Sequence, residues 1–172
     1  MRWIPLALIL FVATISGLYI VETVTNFEKR RFDLTAVAYL TFLGMILFSP
    51  ISFDGSSTYV MPLGIGSVNL HQLDILDVGF AENIILTVPL GFLIKKTFSH
   101  MSLSSIAFLG FTIGGGIETT QYFLSHLVLI NRTSDINDVI SNAIGIVIGA
   151  VLMMTYNYLL NSESMHAQRV HR

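Results

Sequence analysis

Glu118, Gln121, Arg132, Asp135, Asp138 and Asn142 crowd into Gly110–Gly149, between two segments each apolar enough to cross a bilayer. These side chains can handle polar headgroups. A carboxylate serves as general base or holds a cation, and a guanidinium grips phosphate or carboxylate. Ionisable groups at the centre of a span cost on the order of 3 kcal/mol each and less near its ends, so by default they mark function. Glu118, Asp135 and Asp138 face one clear cation, Arg132. Like charges at roughly 4 Å repel by about 4 kcal/mol at an effective dielectric of about 20. Three reliefs exist: pairing with Arg132, a carboxyl that keeps its proton, or a bound cation. A divalent cation such as magnesium or calcium would suit oxygen ligands, although no ligand spacing compels one.

Each residue also has a plainer reading. Asp135 and Asp138 can cap the helix that follows them, Arg132 can anchor a loop at the headgroups, and Gln121 and Asn142 can join helices by hydrogen bonds. Glu118 is hardest to dismiss, because it stands at the negative end of its own helix.

Positioning these groups takes three helices. Gly110, Gly114, Glu118 and Gln121 step by helical intervals and share one face, as do Asp135, Asp138, Asn142, Gly145 and Gly149. The small residues of these two faces are expected to meet each other and let the backbones approach closely. Asn83, Thr87 and Gly91 form a third stripe, with Pro89 predicting a kink and Glu82 about a quarter-turn away.

The 172 residues are 53% hydrophobic and only 12% charged, about half the charge of a soluble domain. Net charge of −2 and the lack of a basic groove argue against nucleic-acid binding. Cysteine is absent, which removes disulfides, thiolate metal sites and a cysteine nucleophile. Five membrane spans are expected, at about 3–21, 32–51, 78–94, 103–124 and 136–160. The fold class is therefore an all-α polytopic helical bundle, one domain over 1–160 with a flexible cytoplasmic tail at 161–172. Lys29, Arg30, Arg31, Lys95, Lys96, Arg169 and Arg172 fall on one side, against Arg2 and Arg132 on the other. The positive-inside rule then puts the amino terminus outside and the carboxy terminus inside. All the polar residues named above fall at the extracytoplasmic end. The loop 52–77 lies outside too, read either as a re-entrant or interfacial cap or as an ordinary surface loop.

Taken in order, N69-L70, N83-I-I-L-T-V-P89-L-G91, E118-T-T-Q121 and R132-T-S-D135-I-N-D138-V-I-S-N142-A-I-G145-I-V-I-G149 resemble the VanZ family of small multi-pass membrane proteins. The likeness covers about 50–149. It departs at N69-L-H-Q-L-D74, where the family more often has proline and phenylalanine after asparagine-leucine. The resemblance implies a cell membrane of the bacterial envelope; the family takes its name from a member linked to low-level teicoplanin resistance. Three functions follow as alternatives, and neither catalysis nor oligomeric state is decided among them. One is an enzyme on an envelope lipid or lipid-linked cell-wall precursor, with Glu118 or Asp138 as base and Arg132 on an anionic group. Asn83, Gln121, Asp135 and Asn142 would then bind substrate. Another is a binding or shielding protein for such a precursor or for a glycopeptide antibiotic. The third, an ion-coupled transporter, sits poorly with polar residues confined to one end.

Overall fold

Residues 1–53 and 56–170 are described in this computed structural model, with side chains to residue 162 other than that of Phe53. Five helices carry the chain: α1 Ile4–Thr23, α2 Phe27–Phe48, α3 Val78–Thr97, α4 Leu103–Val128 and α5 Ile136–Val170. Each expected span lies on one of them. Local chemistry sets the starts. Pro5 occupies the first turn of α1, where no backbone donor is needed. Asn26 caps α2 by accepting from the Lys29 amide at 2.9 Å, Asp77 caps α3 through the Gly79 amide, and Ser102 accepts from the Ser105 amide at the start of α4. Lys95, buried on α3, donates to the carbonyls of Ser99 and Met101 and so closes the turn into α4. The helix α5 is traced to Val170. Residues 171–172 and the side chains from 163 onward, with Arg169 and Arg172, lie outside the described residues.

The helices α1, α2, α3 and α5 are long and apolar enough to cross a membrane. The 26 residues of α4 suffice in length, but Glu118, Thr119, Thr120 and Gln121 dilute its apolar character. Three of its polar groups turn inward: Glu118, Gln121 and Ser125, spaced by three and four, are all buried, while Thr119 and Thr120 are exposed along with Phe108, Phe111, Phe123 and Leu127.

The chain forms two compact units. The first comprises Met1–His71 and Gly116–Ile136. Here α1 lies against α2, with Ile9 in contact over Gly44. An antiparallel hairpin follows α2, β1 Ile51–Phe53 with β2 Thr58–Val60, in register Ile51↔Val60. The chain then runs parallel to the α4–α5 connection. Gly64 bridges Ile130, and β3 Val68–Asn69 pairs with β4 Ser134–Asp135. Residues 64–69 are thus strand and irregular backbone zipped to 130–135, with Leu63, Ile65, Val68 and Leu70 exposed along this part of the loop.

The second unit comprises Gln72–Gly115 and Asn137–Arg172. Its core is Ile106, Ile146 and Ala150, packed by Leu90, Ile94, Met101 and Ile113. Glycines set its helix spacing, in a pattern that corrects the expected pairing. Gly110 and Gly114 of α4 do not meet Gly145 and Gly149. They rest on the backbones of Ala143 and Val139, where an added Cβ would come to 3.1 and 2.8 Å. Gly145 and Gly149 turn to α3, against Thr87, Ile84, Val88 and Phe92, and Gly91 of α3 fits against Ile146. Neighbouring positions on a helix differ by about 100°. Positions 139 and 143 of α5 therefore serve α4, the 142/145/149 stripe serves α3, and Ile146 and Ala150 lie between and pack against both.

Candidate functional site

The first unit gathers four of the seven candidate residues. Glu118 is 7% exposed, and its Oε2 accepts from the Asp135 amide at 2.8 Å. The neighbouring Ser134 hydroxyl donates to the Glu118 carbonyl at 3.0 Å. Asp135 in turn holds Asn69, whose Nδ2 donates to both carboxylate oxygens at 3.0 and 3.1 Å. The β3–β4 pairing explains this juxtaposition, because its register sets Asn69 opposite Asp135. A buried carboxylate, a main-chain amide, a second carboxylate and a side-chain amide thus form one chain of hydrogen bonds. Charge-assisted bonds of this kind are stronger than neutral ones.

Arg132 and Gln121 both reach the carboxy-terminal end of α2. The Arg132 guanidinium donates through Nε to the Ser49 carbonyl at 3.3 Å and through Nη2 to the carbonyls of Ile46 and Ile51. Gln121 donates through Nε2 to the Leu47 carbonyl at 3.0 Å. A helix ends in carbonyls without intrahelical partners and with partial negative charge. A guanidinium and an amide are suited to that need. Nε and Nη2 of Arg132 therefore act on the fold itself. The other end of Gln121 differs: its Oε1 is buried and has no hydrogen-bond partner.

The other three candidates, Asn83, Asp138 and Asn142, belong to the second unit. The Thr87 hydroxyl donates toward the carbonyls of Asn83 at 2.8 Å and Asn142 at 3.1 Å, linking α3 to α5. Asp138 and Asn83 are half-buried. Asn142 is 1% exposed, and neither its Oδ1 nor its Nδ2 has a partner. Glu82, also half-buried on α3, is given no role. Among the described residues no three His, Asp or Glu side chains converge as a cation site.

Several residues that position the candidates escape a reading by charge. Ser125, fully buried, accepts from the Arg132 amide at 2.8 Å and donates to the Arg132 carbonyl at 3.1 Å. Asn131, in the left-handed region at φ 63°, accepts from the Gly66 amide at 3.0 Å. In the second unit, Asn137 accepts from the Asp74 amide and donates to the Gln72 carbonyl, both at 2.9 Å. Asn137 sits inside the quoted motif R-T-S-D-I-N-D and Asn69 in the N69-L70 pair, whereas Ser125 and Asn131 fall between the motifs. Serine and asparagine that brace main chain look like loop residues until a partner strand is known.

No curated protein and no solved structure matches this chain. The VanZ/LLP1 family profile matches residues 7–159, which takes in all of α2, α3 and α4, most of α1 and α5, the zipped loop and every candidate residue. The resemblance of the motifs is therefore carried by most of the chain, which belongs to the VanZ/LLP1 family.

Proposed function

We propose that this chain is a multi-pass protein of the bacterial cell membrane, and that the Glu118–Gln121 face of α4 binds an amine-bearing headgroup on the extracytoplasmic side. The ligand carries an ammonium on an envelope lipid, a lipid-linked cell-wall precursor or a glycopeptide antibiotic. The observation that carries this reading is the partnerless buried acceptor, Gln121 Oε1, one turn from the buried carboxylate of Glu118. An ammonium offers three donors and no acceptor, which complements an amide oxygen beside a carboxylate. The main-chain amide of Asp135 holds Glu118 Oε2 in place, so the site is pre-organised on a helix and a short strand. The inward turn of Glu118, Gln121 and Ser125 supports a fifth crossing, because the costliest groups are then kept from lipid, and the exposed Thr112 and Thr120 hydroxyls donate back to carbonyls of their own helix. The lysines and arginines in the first turns of α2 (Lys29, Arg30, Arg31) and the last turn of α3 (Lys95, Lys96) support an outward-facing site.

The test uses the full chain in nanodiscs of phosphatidylethanolamine or phosphatidylglycerol, with retained lipid read by native mass spectrometry. A lipid-linked precursor with a free amine, and teicoplanin, form separate arms that identify the source of the amine. Wild type is expected to retain the amine lipid in preference. Glu118→Gln, which keeps the shape and removes the charge, is expected to weaken retention about tenfold, as for loss of a charge-assisted bond. Equal retention of both lipids by wild type, with no response in either other arm, overturns the reading. Chemical alteration of the lipid by trace protein would replace it with an enzyme.

A further inference from the structure

Asn142 has both ends of its amide buried and partnerless, in a seam where little else is polar. Below it, toward the end of α5, Gly145 and Gly149 bring the α5 backbone against Ile84, Val88 and Phe92 of α3. Gly91 does the same from α3 toward Ile146. No side chain fits there, so the seam is sealed on that side. Two buried hydroxyls lie near it, and both are directed at main-chain carbonyls, Thr87 at those of Asn83 and Asn142 and Ser141 at that of Asp138. On the other side the same two stripes turn polar. Asp138 stands one turn before Asn142 on α5, and Asn83 one turn before Thr87 on α3, both half-buried.

A buried amide without partners opposes folding, and leucine, which has the same branched heavy-atom skeleton, would occupy the position without that cost. The chain keeps an amide that its own residues do not satisfy. A ligand group that completes it must both donate and accept. A hydroxyl does both, whereas an ammonium only donates and a phosphate at neutral pH mainly accepts. The carboxylate one turn away adds an acceptor for a second hydroxyl. An amide and a carboxylate one turn apart suit adjacent hydroxyls of one small ring. We infer that the α3–α5 seam of the second unit, through Asn142 and Asp138, binds a neutral polyol, the hydroxyls of a sugar.

Such hydroxyls come from a glycolipid headgroup or from a free saccharide, and the experiment separates the two. The full chain is placed in phosphatidylcholine nanodiscs with or without glucosyl diacylglycerol, and in a third arm with free glucose. Thermal unfolding and lipid retention are both read. Wild type is expected to unfold at higher temperature with the glycolipid, or with glucose if the free sugar is the ligand. Asn142→Leu is expected to raise the midpoint without sugar by about 3 °C and to abolish the sugar-dependent shift. Asp138→Asn, which keeps the fold through an isosteric change, is expected to weaken sugar retention about tenfold by losing the charged acceptor. No sugar-dependent shift in wild type, or a full shift in Asn142→Leu, overturns the inference. Should Asn142→Leu fail to fold, undiminished sugar retention in Asp138→Asn overturns it equally. The amine-lipid test of Glu118 uses neither these probes nor these variants, so the two readings fail separately.

Discussion

The two units solve the problem of packing apolar helices in opposite ways. In the second, α3 and α5 approach until the backbones touch, and glycine makes that possible at 91, 145 and 149. Dispersion and shape do most of the holding there, with the Thr87 hydroxyl as one polar link, and the polar amide of Asn142 is left over. In the first, the end of α2 and the 64–69 strand are tied by named donors and acceptors: Arg132, Gln121, Ser125, Asn131 and the Asn69–Asp135 pair. Two kinds of substitution should therefore injure the two units unequally. Added volume should harm the second, and lost hydrogen bonds should harm the first.

The largest effect is expected where volume has nowhere to go. A Cβ at Gly149 would run into the main chain at Val88 and Phe92, neither of which can rotate away. Overpacking of this kind costs about 3 kcal/mol, and Gly149→Val should lower the unfolding midpoint in detergent and the yield of monodisperse protein. A midpoint equal to wild type would mean that α3 and α5 are not in contact as described.

Next comes Arg132. Arg132→Ala strips the donors from the carbonyls of Ile46, Ser49 and Ile51 and should cost about 2 kcal/mol in thermal or denaturant unfolding. Arg132→Lys should recover only part of this, since an ammonium lacks the planar fork that spans several carbonyls. Full recovery by lysine would make charge at the helix end, rather than directed bonding, the operative term. Asn69→Ala should cost about 1.5 kcal/mol, and a double-mutant cycle with Asp135→Ala should return most of that as coupling. Additive losses would sever the link between the loop and the carboxylates.

Much of this could be read from residue order. Apolar length locates the five helices, four of them apolar enough to cross a membrane, and Asn83-Thr87-Gly91 and Asn142-Gly145-Gly149 read as helical faces because an interval of three or four residues is a local property. Which face meets which helix is not local. Gly145 and Gly149 were matched with Gly110 and Gly114 because those helices are consecutive, yet they serve α3. The parallel pairing of 68–69 with 134–135 was equally hidden, since it joins segments 66 positions apart through strands of two residues. Arg132 was read from its charge as a ligand-holding group or a headgroup anchor. Its carbonyl partners at the end of α2 lie more than 80 positions away, beyond any motif.

The smallest effect is the most discriminating, and it concerns Gly114-Gly115-Gly116. The three are chemically identical, and spacing alone sets Gly114 on the face of Gly110, Glu118 and Gln121. In the fold only Gly114 is a contact residue, with a Cβ set to reach 2.8 Å from the Val139 carbonyl, while Gly115 and Gly116 have nothing within 4 Å. Alanine at either of the latter adds no clash and removes backbone freedom from the unfolded chain, which stabilises a helix by about 0.5–1 kcal/mol. Gly116→Ala should accordingly raise the unfolding midpoint slightly, and Gly114→Ala should lower it. If all three substitutions behaved alike, α4 would not pack on α5 through the face that Gly110 and Gly114 share, and the second unit would need some other means of close approach. Opposite signs from chemically identical changes would tie that packing to one side of one helix.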